Sequence, residues 1–487
     1  MSGLKAGPIL FWANLHVKNH GAFALTKASL GGAIVLRKPA RRQLWLEAEH
    51  YHIGEVPDIY HPHPEGLPAV GRNCLVVGYP GVGKTMVLKK LCYDLSQNPG
   101  ILPLYVQIEP WVAKVSAERT FPMENKQTPR DRELITCTTI LLTLAIIERL
   151  DKYADYELAQ AAAALFPDGL PPRDALPKWI GQKILLLKSV LEDGASLPNA
   201  YASFPNIFEV VNSIGDAARR RNRTLALLID QVDKTTAVHF DVIASLLRRG
   251  SYVATIATRP CPCAPEIASI PHGLVAGNDY MIHWLGCDAR APSWRSFIQA
   301  IVTNSNFDEP LAQFVLDRVN VLTSLAGPSA RTVLQVCMNA ENRISRGNQP
   351  DQAWNEELIS LLDREEATAS EVIGAWCGDP RRFISRLRDR TAEARAHRQL
   401  GPGPGIMHVA KRDLFHSEPI EALIRVCTRE GFLLPMPRQQ CGLDLVVDRY
   451  EVSPVLIAPR GQTSFDDNLV ECTRRSKNRP RDTALAA

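Results

Sequence analysis

Gly78-Tyr79-Pro80-Gly81-Val82-Gly83-Lys84-Thr85 follows directly on the apolar run Cys74-Leu75-Val76-Val77, and that junction decides the fold. Gly78, Gly81 and Gly83 let the backbone turn through conformations closed to residues with a side chain, so that successive amides point inward at a phosphate chain. Lys84 supplies a mobile positive charge for the outer phosphates. Thr85 offers a hydroxyl to Mg2+ at the start of a helix whose dipole favours anions. Met86, Val87, Leu88, Leu91 and Leu95 then recur at helical spacing, with Lys89 and Lys90 on another face. Strand, glycine turn and helix occur in the order the chemistry needs. Residues Gly78 to Met86 are therefore the candidate cofactor-binding set, and ATP or ADP with Mg2+ is the expected cofactor.

A second stretch, Thr224-Leu225-Ala226-Leu227-Leu228-Ile229-Asp230-Gln231-Val232-Asp233, is a continuous apolar run ending in a carboxylate. Central parallel strands covered on both faces read this way, and their C-terminal ends line the ligand crevice of an open α/β sheet. Asp230 is the expected partner of Thr85 in holding Mg2+. Tyr252 to Ala257 forms another such run and ends in Thr258-Arg259-Pro260, which brings Arg259 to the same edge. With Leu104 to Ile108 and Tyr280 to Leu285, the expectation is an α/β fold: a parallel sheet of five strands flanked by helices. Between residues 110 and 222 the pattern is helical, over Arg132 to Leu150, Tyr156 to Leu165, Leu176 to Leu191 and Ile207 to Arg221. The most apolar part, Leu134 to Ile147, is shorter than the roughly 20 residues a membrane span requires and reads as a buried helix.

At 487 residues, 45% hydrophobic and 22% charged, the chain has the balance of ordinary globular domains. A net charge of +4 is too small for a dedicated nucleic-acid coat, so any such contact must be local. Eleven irregularly spaced cysteines with no secretory signal ahead of them point to reduced thiols and a cytoplasmic protein. Cys261-Pro262-Cys263 lacks two further ligands at zinc spacing, and the prolines beside His61 and His63 favour an extended loop over ligation, so no structural metal is expected.

The phosphate loop, the strand ending in Asp230 and the polar strand end at Thr258-Arg259 resemble the Walker A, Walker B and sensor-1 elements of the AAA+ and STAND P-loop ATPases. That resemblance implies a P-loop ATPase domain over residues 71–288 with a helical insertion at 110–222, preceded by an N-terminal arm over 1–70, in which Gly31 to Trp45 reads as a hairpin or a packed arm. It further implies a helical lid over 289–400, matched by helical runs at Ser293 to Thr303, Pro310 to Thr323, Ser329 to Arg346 and Asp351 to Leu362. Gly327-Pro328-Ser329-Ala330-Arg331 resembles the sensor-2 region, in which a lid arginine reaches the outer phosphates. Arg331 is the candidate, and Gly378-Asp379-Pro380-Arg381-Arg382 is a rival match. Beyond the Gly401 to Gly405 linker, residues 406–460 resemble a winged-helix module: a helix from Pro419 to Glu430, a strand at Phe432 to Leu434, a polar tip at Arg438 to Cys441 and a return at Leu443 to Val452. Residues 461–487 read as a polar tail.

Two departures bear on activity. The helical insertion lengthens the path from Lys84 to Asp230, and Gln231 stands where the family has the glutamate that activates water. An amide orients water but takes no proton, so the base is either absent or is Asp233, expected on the same strand face as Gln231. The candidate catalytic set is Lys84, Asp230, Gln231, Asp233, Arg259 and Arg331. The first functional expectation is a nucleotide-gated switch with slow turnover, coupled to a protein partner or to homo-oligomerisation. The alternatives are an initiator-like DNA-binding ATPase using the winged helix and the seven arginines between Arg381 and Arg398, and a nucleotide-locked adaptor that never turns over.

Overall fold

A computed structural model describes residues 52–58, 60–108, 129–152, 155–169, 171–192, 195–232, 242–259, 274–275, 277–286, 292–305, 307, 309–318, 322, 329–374, 378–385, 387, 406–409, 427, 432–440 and 446–452. By contacts the chain divides into Met1–Pro39 and Ala40–Ala487, and every described residue lies in the second unit. The arm or hairpin expected at Gly31 to Trp45, the linker at Gly401 to Gly405 and the tail at 461–487 lie outside the described residues.

The apolar runs form strands as their composition predicts. They are β1 (Cys74–Gly78), β2 (Ile101–Gln107), β3 (Thr224–Asp230), β4 (Tyr252–Thr258) and β5 (Met281–Leu285). All are parallel, in the order β2-β3-β4-β1-β5. The chain runs from β1 out to the edge at β2, returns through β3 and β4, then passes β1 to reach β5. The connection from β1 leaves towards β2 and that from its neighbour β4 leaves the other way, towards β5, and an open parallel sheet has its crevice at such a point.

Period-two alternation splits each strand between two apolar clusters. Leu75, Val77, Leu102, Leu104, Val106, Leu225, Leu227 and Ile229 join one cluster, built with the insertion helices α2 (Pro129–Lys152), α3 (Tyr156–Ala163), α4 (Leu176–Glu192) and α5 (Ile207–Arg219). Cys74, Val76, Tyr105, Ala226 and Leu228 join the other. That second cluster holds α1 (Lys84–Ser96), which follows the glycine turn, and the helices α6 (Pro292–Thr303) and α8 (Ala330–Ile344). Helix α7 (Glu309–Asp317) lies between those two in sequence, and α9 (Pro350–Gly374) follows them. The insertion helices begin and end close to their expected limits, and α5 opens on a capping box in which Asn206 and Glu209 satisfy each other's amides. α9 extends a full three turns beyond the expected Leu362, because its C-terminal half buries only Ala369 and Ile373 and so shows little apolar period.

A separate antiparallel sheet joins β6 (Ile406–Val409), β7 (Leu433–Gln440) and β8 (Val446–Val452) in the order β6-β8-β7. β7 runs through Arg438 to Gln440, with a register irregularity between Met436 and Gln439, so this part of the expected polar tip is strand. Of the helix expected over Pro419 to Glu430, only Cys427 is among the described residues.

Candidate nucleotide site

β1 ends at Gly78 between two neighbours, with Val77 opposite Thr258 of β4 and Gly78 opposite Leu285 of β5. The turn that follows uses left-handed backbone at Gly81 (φ 80) and Gly83 (φ 108), which residues with a Cβ adopt only with strain. Gly83 caps α1 without a side-chain hydrogen bond, and a helix start of this kind favours an anion. The Lys84 ammonium donates to the carbonyls of Gly78 (2.8 Å) and Tyr79 (3.2 Å) and is only 8% exposed. The lysine thus lies folded along the loop that it is expected to serve. Tyr79, Val82 and Met86 have buried side chains. They can meet a phosphate only through the backbone, whereas Pro80 and Thr85 are half-buried at the surface of the loop.

Asp230 closes β3 and is 1% exposed. One carboxylate oxygen accepts from the Tyr105 hydroxyl at 2.7 Å, and the other accepts from the Gln231 amide at 2.8 Å. Burial, and then the Asp230 charge, hold the Tyr105 phenol well above its ordinary pKa, so it stays a neutral donor. Gln231 has φ 63 and is 5% exposed. The strand alternation therefore stops at Asp230. A left-handed residue follows, and the argument that Gln231 and Asp233 share a strand face fails for that reason. Asp233 itself lies outside the described residues. Thr258 is buried at the end of β4, and Arg259, the next residue, is half-buried.

Helix α8, in the region expected to form a lid, starts against the glycine turn. The Arg331 amide donates to the Gly81 carbonyl at 3.2 Å. A Cβ placed on Gly81 would come within 2.2 Å of Ser329 Oγ and 3.0 Å of Arg331 Cβ. Ser329 caps α8 by accepting from the Thr332 amide. Arg331 has an exposed side chain at this junction. The rival Arg381 and Arg382 are exposed, and the Arg382 amide is capped by Asp379 Oδ1 at 3.0 Å, an ordinary helix start. Arg386, Arg388, Arg390, Arg395 and Arg398 lie outside the described residues.

One contributor is absent from the expected set. His63 is buried, its Nε2 lies 3.2 Å from the Val82 carbonyl, and its ring packs 5.7 Å from Trp294 and 5.1 Å from Phe297 of α6. Its Nδ1 is 2.6 Å from Glu65 Oε2, and Glu65 Oε1 accepts from the Gly286 amide at 3.0 Å. Burial would raise the Glu65 pKa, but His63 and the two backbone amides outweigh it and hold the carboxyl below its ordinary value. The segment before β1 thus ties the loop to the end of β5 and to α6. The His61-Pro62-His63-Pro64 spacing was the only signal of this in the sequence.

Among the described residues no group of three or more His, Cys, Asp or Glu is arranged to hold a metal ion, and no helix is long and apolar enough to cross a membrane. The oxygen donors present, Thr85 and Asp230, nevertheless suit Mg2+, which takes one or two protein oxygens and completes its shell with phosphate and water. Helix α1 supports that pairing. Thr85 and Lys89 are four residues apart on one helix face, and the Lys89 ammonium lies 5.5 Å from the centroid of the Tyr105 ring, whose hydroxyl reaches Asp230.

Residues 51–257 match the family model of an AAA ATPase domain. No curated protein matches the chain. Among solved structures, Cdc6p from Pyrobaculum aerophilum is 9% identical, with a TM-score of 0.31 over 92% of this chain and 96% of that one. The ORC2 protein of Aeropyrum pernix, solved as ADPNP–ADP complexes, is 11% identical, with a TM-score of 0.32 over the same shares. At those TM-scores neither likeness bears on the ligand or partners of this chain.

Proposed function

We propose that the chain is a nucleotide-gated switch that binds ATP or ADP with Mg2+ in the Gly78–Met86 loop, hydrolyses ATP slowly, and relays nucleotide state through the lid to a partner or to self-assembly. The observation that carries this reading is the hydrogen bond from the Arg331 amide to the Gly81 carbonyl, which makes the start of the lid part of the loop wall. A loop that reorganises around phosphates moves an acceptor that the lid depends on.

The roles follow from the residues. Loop amides and the uncapped start of α1 bind phosphate oxygens. Lys84 exchanges its two loop carbonyls for those oxygens, and Arg331 and Arg259 stand at the lid and sheet sides of the same crevice. Thr85 and Asp230 hold Mg2+, which when bound neutralises charge on the phosphates. Gln231 can orient water without removing its proton, so a general-base contribution of about 10²–10⁴-fold is missing unless Asp233 provides it.

The test measures nucleotide affinity and assembly state with ATP, ADP and no nucleotide, for wild type and Lys84→Ala. Wild type should bind nucleotide and change its assembly or lid exposure between ATP and ADP, while a folded Lys84→Ala should bind at least tenfold more weakly. Equal affinity in the two proteins would refute the site. Identical behaviour in all three nucleotide states would refute the switch.

A further inference from the structure

Tyr105 lies on β2 directly opposite Leu228 of β3, and Asp230 lies two residues further along β3 on the same face. A diagonal neighbour of this kind is beyond reach for a short side chain but within reach for a tyrosine. The phenol spans the gap and donates to Asp230 Oδ2 at 2.7 Å. Its ring is buried and is met from α1 by the Lys89 ammonium. Lys89 stands one turn after Thr85, so the ring is clamped between the helix that offers one expected Mg2+ oxygen and the carboxylate that offers the other. The two oxygens of Asp230 are not equivalent here. The Gln231 amide on Oδ1 comes from the next residue in the chain and moves with Asp230, whereas the Tyr105 hydroxyl on Oδ2 comes from another strand and fixes the carboxylate relative to the sheet.

We propose that Tyr105 is a positioning residue for Mg2+: it sets the rotation of the Asp230 carboxylate so that its remaining lone pairs face Thr85. The proposal rests on the nucleotide-site reading above and adds to it a residue outside the loop and strand motifs. A partner that orients a metal-binding group without touching the metal is worth about 10–100-fold in metal affinity. Loss of the hydroxyl should therefore weaken Mg2+ binding and leave the phosphate loop untouched.

The experiment compares wild type and Tyr105→Phe in two titrations, a fluorescent ATP analogue added in the presence of EDTA and Mg2+ added to the protein at saturating nucleotide. The expected result is unchanged metal-free nucleotide affinity with the half-saturating Mg2+ concentration raised about 10–100-fold. Tyr105→Phe in an Asp230→Asn background should add nothing further. Equal loss in both titrations would mean that Tyr105 merely supports the fold and would overturn the proposal, as would an unchanged Mg2+ midpoint. Failure of wild type to bind nucleotide at all would instead overturn the site reading on which it rests. Should Tyr105→Phe not fold, the tyrosine absorption of wild type decides: Mg2+ added to the nucleotide complex should shift it, and an unshifted spectrum would overturn the proposal.

Discussion

Gly81→Ala tests whether the lid is seated on the phosphate loop. At φ 80 the alanine pays a left-handed penalty of about 1–2 kcal/mol. Its Cβ would lie 2.2 Å from Ser329 Oγ, too close for any real contact, so one of the two must move. Ser329 cannot rotate without loss, because its oxygen accepts from the Thr332 amide at 3.2 Å and lies 2.8 Å from Thr332 Oγ1. Losing that cap costs about 0.5–2 kcal/mol. Displacing the Arg331 amide from the Gly81 carbonyl costs about 0.5–1.5 kcal/mol more. The single substitution should therefore lower stability at the junction by about 2–5.5 kcal/mol on these same terms. Ser329→Ala alone should lose only the cap. In the double variant the offending oxygen is gone and the cap is lost once rather than twice, so the two effects should fall short of their sum by about 0.5–2 kcal/mol. Hydrogen exchange of the first turn of α8, at Thr332 and Val333, reads this locally, with urea unfolding as a global control. Single effects that add within about 0.5 kcal/mol would refute the packing of the lid start on the loop.

Two further outcomes follow from burial and charge. His283 is held below its ordinary pKa of 6.5, first by burial, so the unfolded chain takes up the proton before the folded one and stability is lost as pH falls below 6.5. The carboxyl of Glu65, also depressed, contributes stability above 4.5 that is lost as pH falls through its lower folded value. The melting midpoint of His283→Gln should accordingly fall less than that of wild type between pH 7 and 5.5, and an equal or larger fall would contradict the assignment. Cys74 and Cys92 are buried thiols pushed up to about 12, so native alkylation at pH 8 should leave both unmodified by mass spectrometry, and rapid labelling of either would show that the sheet opens there.

Most of the sheet was legible because its strands are covered on both faces, which makes them continuous apolar runs that end abruptly at Gly78, Asp230 and Thr258. The phosphate loop was legible because its backbone conformations demand glycine at Gly81 and Gly83. Strand order was not, since a parallel strand carries no mark of its neighbour. Contacts across long sequence separations were equally hidden: nothing in Tyr105 distinguishes it from the other buried residues of β2 until Asp230 is placed beside it, and Ser329 reads as a helix cap whether or not a loop lies against it. The left-handed Gln231 defeated the alternation argument because period two holds only while the chain remains extended.

The division of the sheet into two faces has a consequence for how such a chain can act. Tyr105, Ala226 and Leu228 face the cluster shared by α1, α6 and α8, while their alternating neighbours face the insertion helices. Every element proposed to touch the nucleotide, from the loop through Asp230 to Arg331, lies on or opens onto the first face. A shift in α1 or in the loop is therefore passed to α6 and α8 through packed side chains such as Trp294, Phe297 and Leu334, and close-packed interiors respond to such shifts by repacking rather than by yielding gradually. Among the described residues, the apolar contacts of the insertion helices with these strands are made mainly on the other face. Its helices can support the sheet without their apolar cluster standing between the glycine turn and α8.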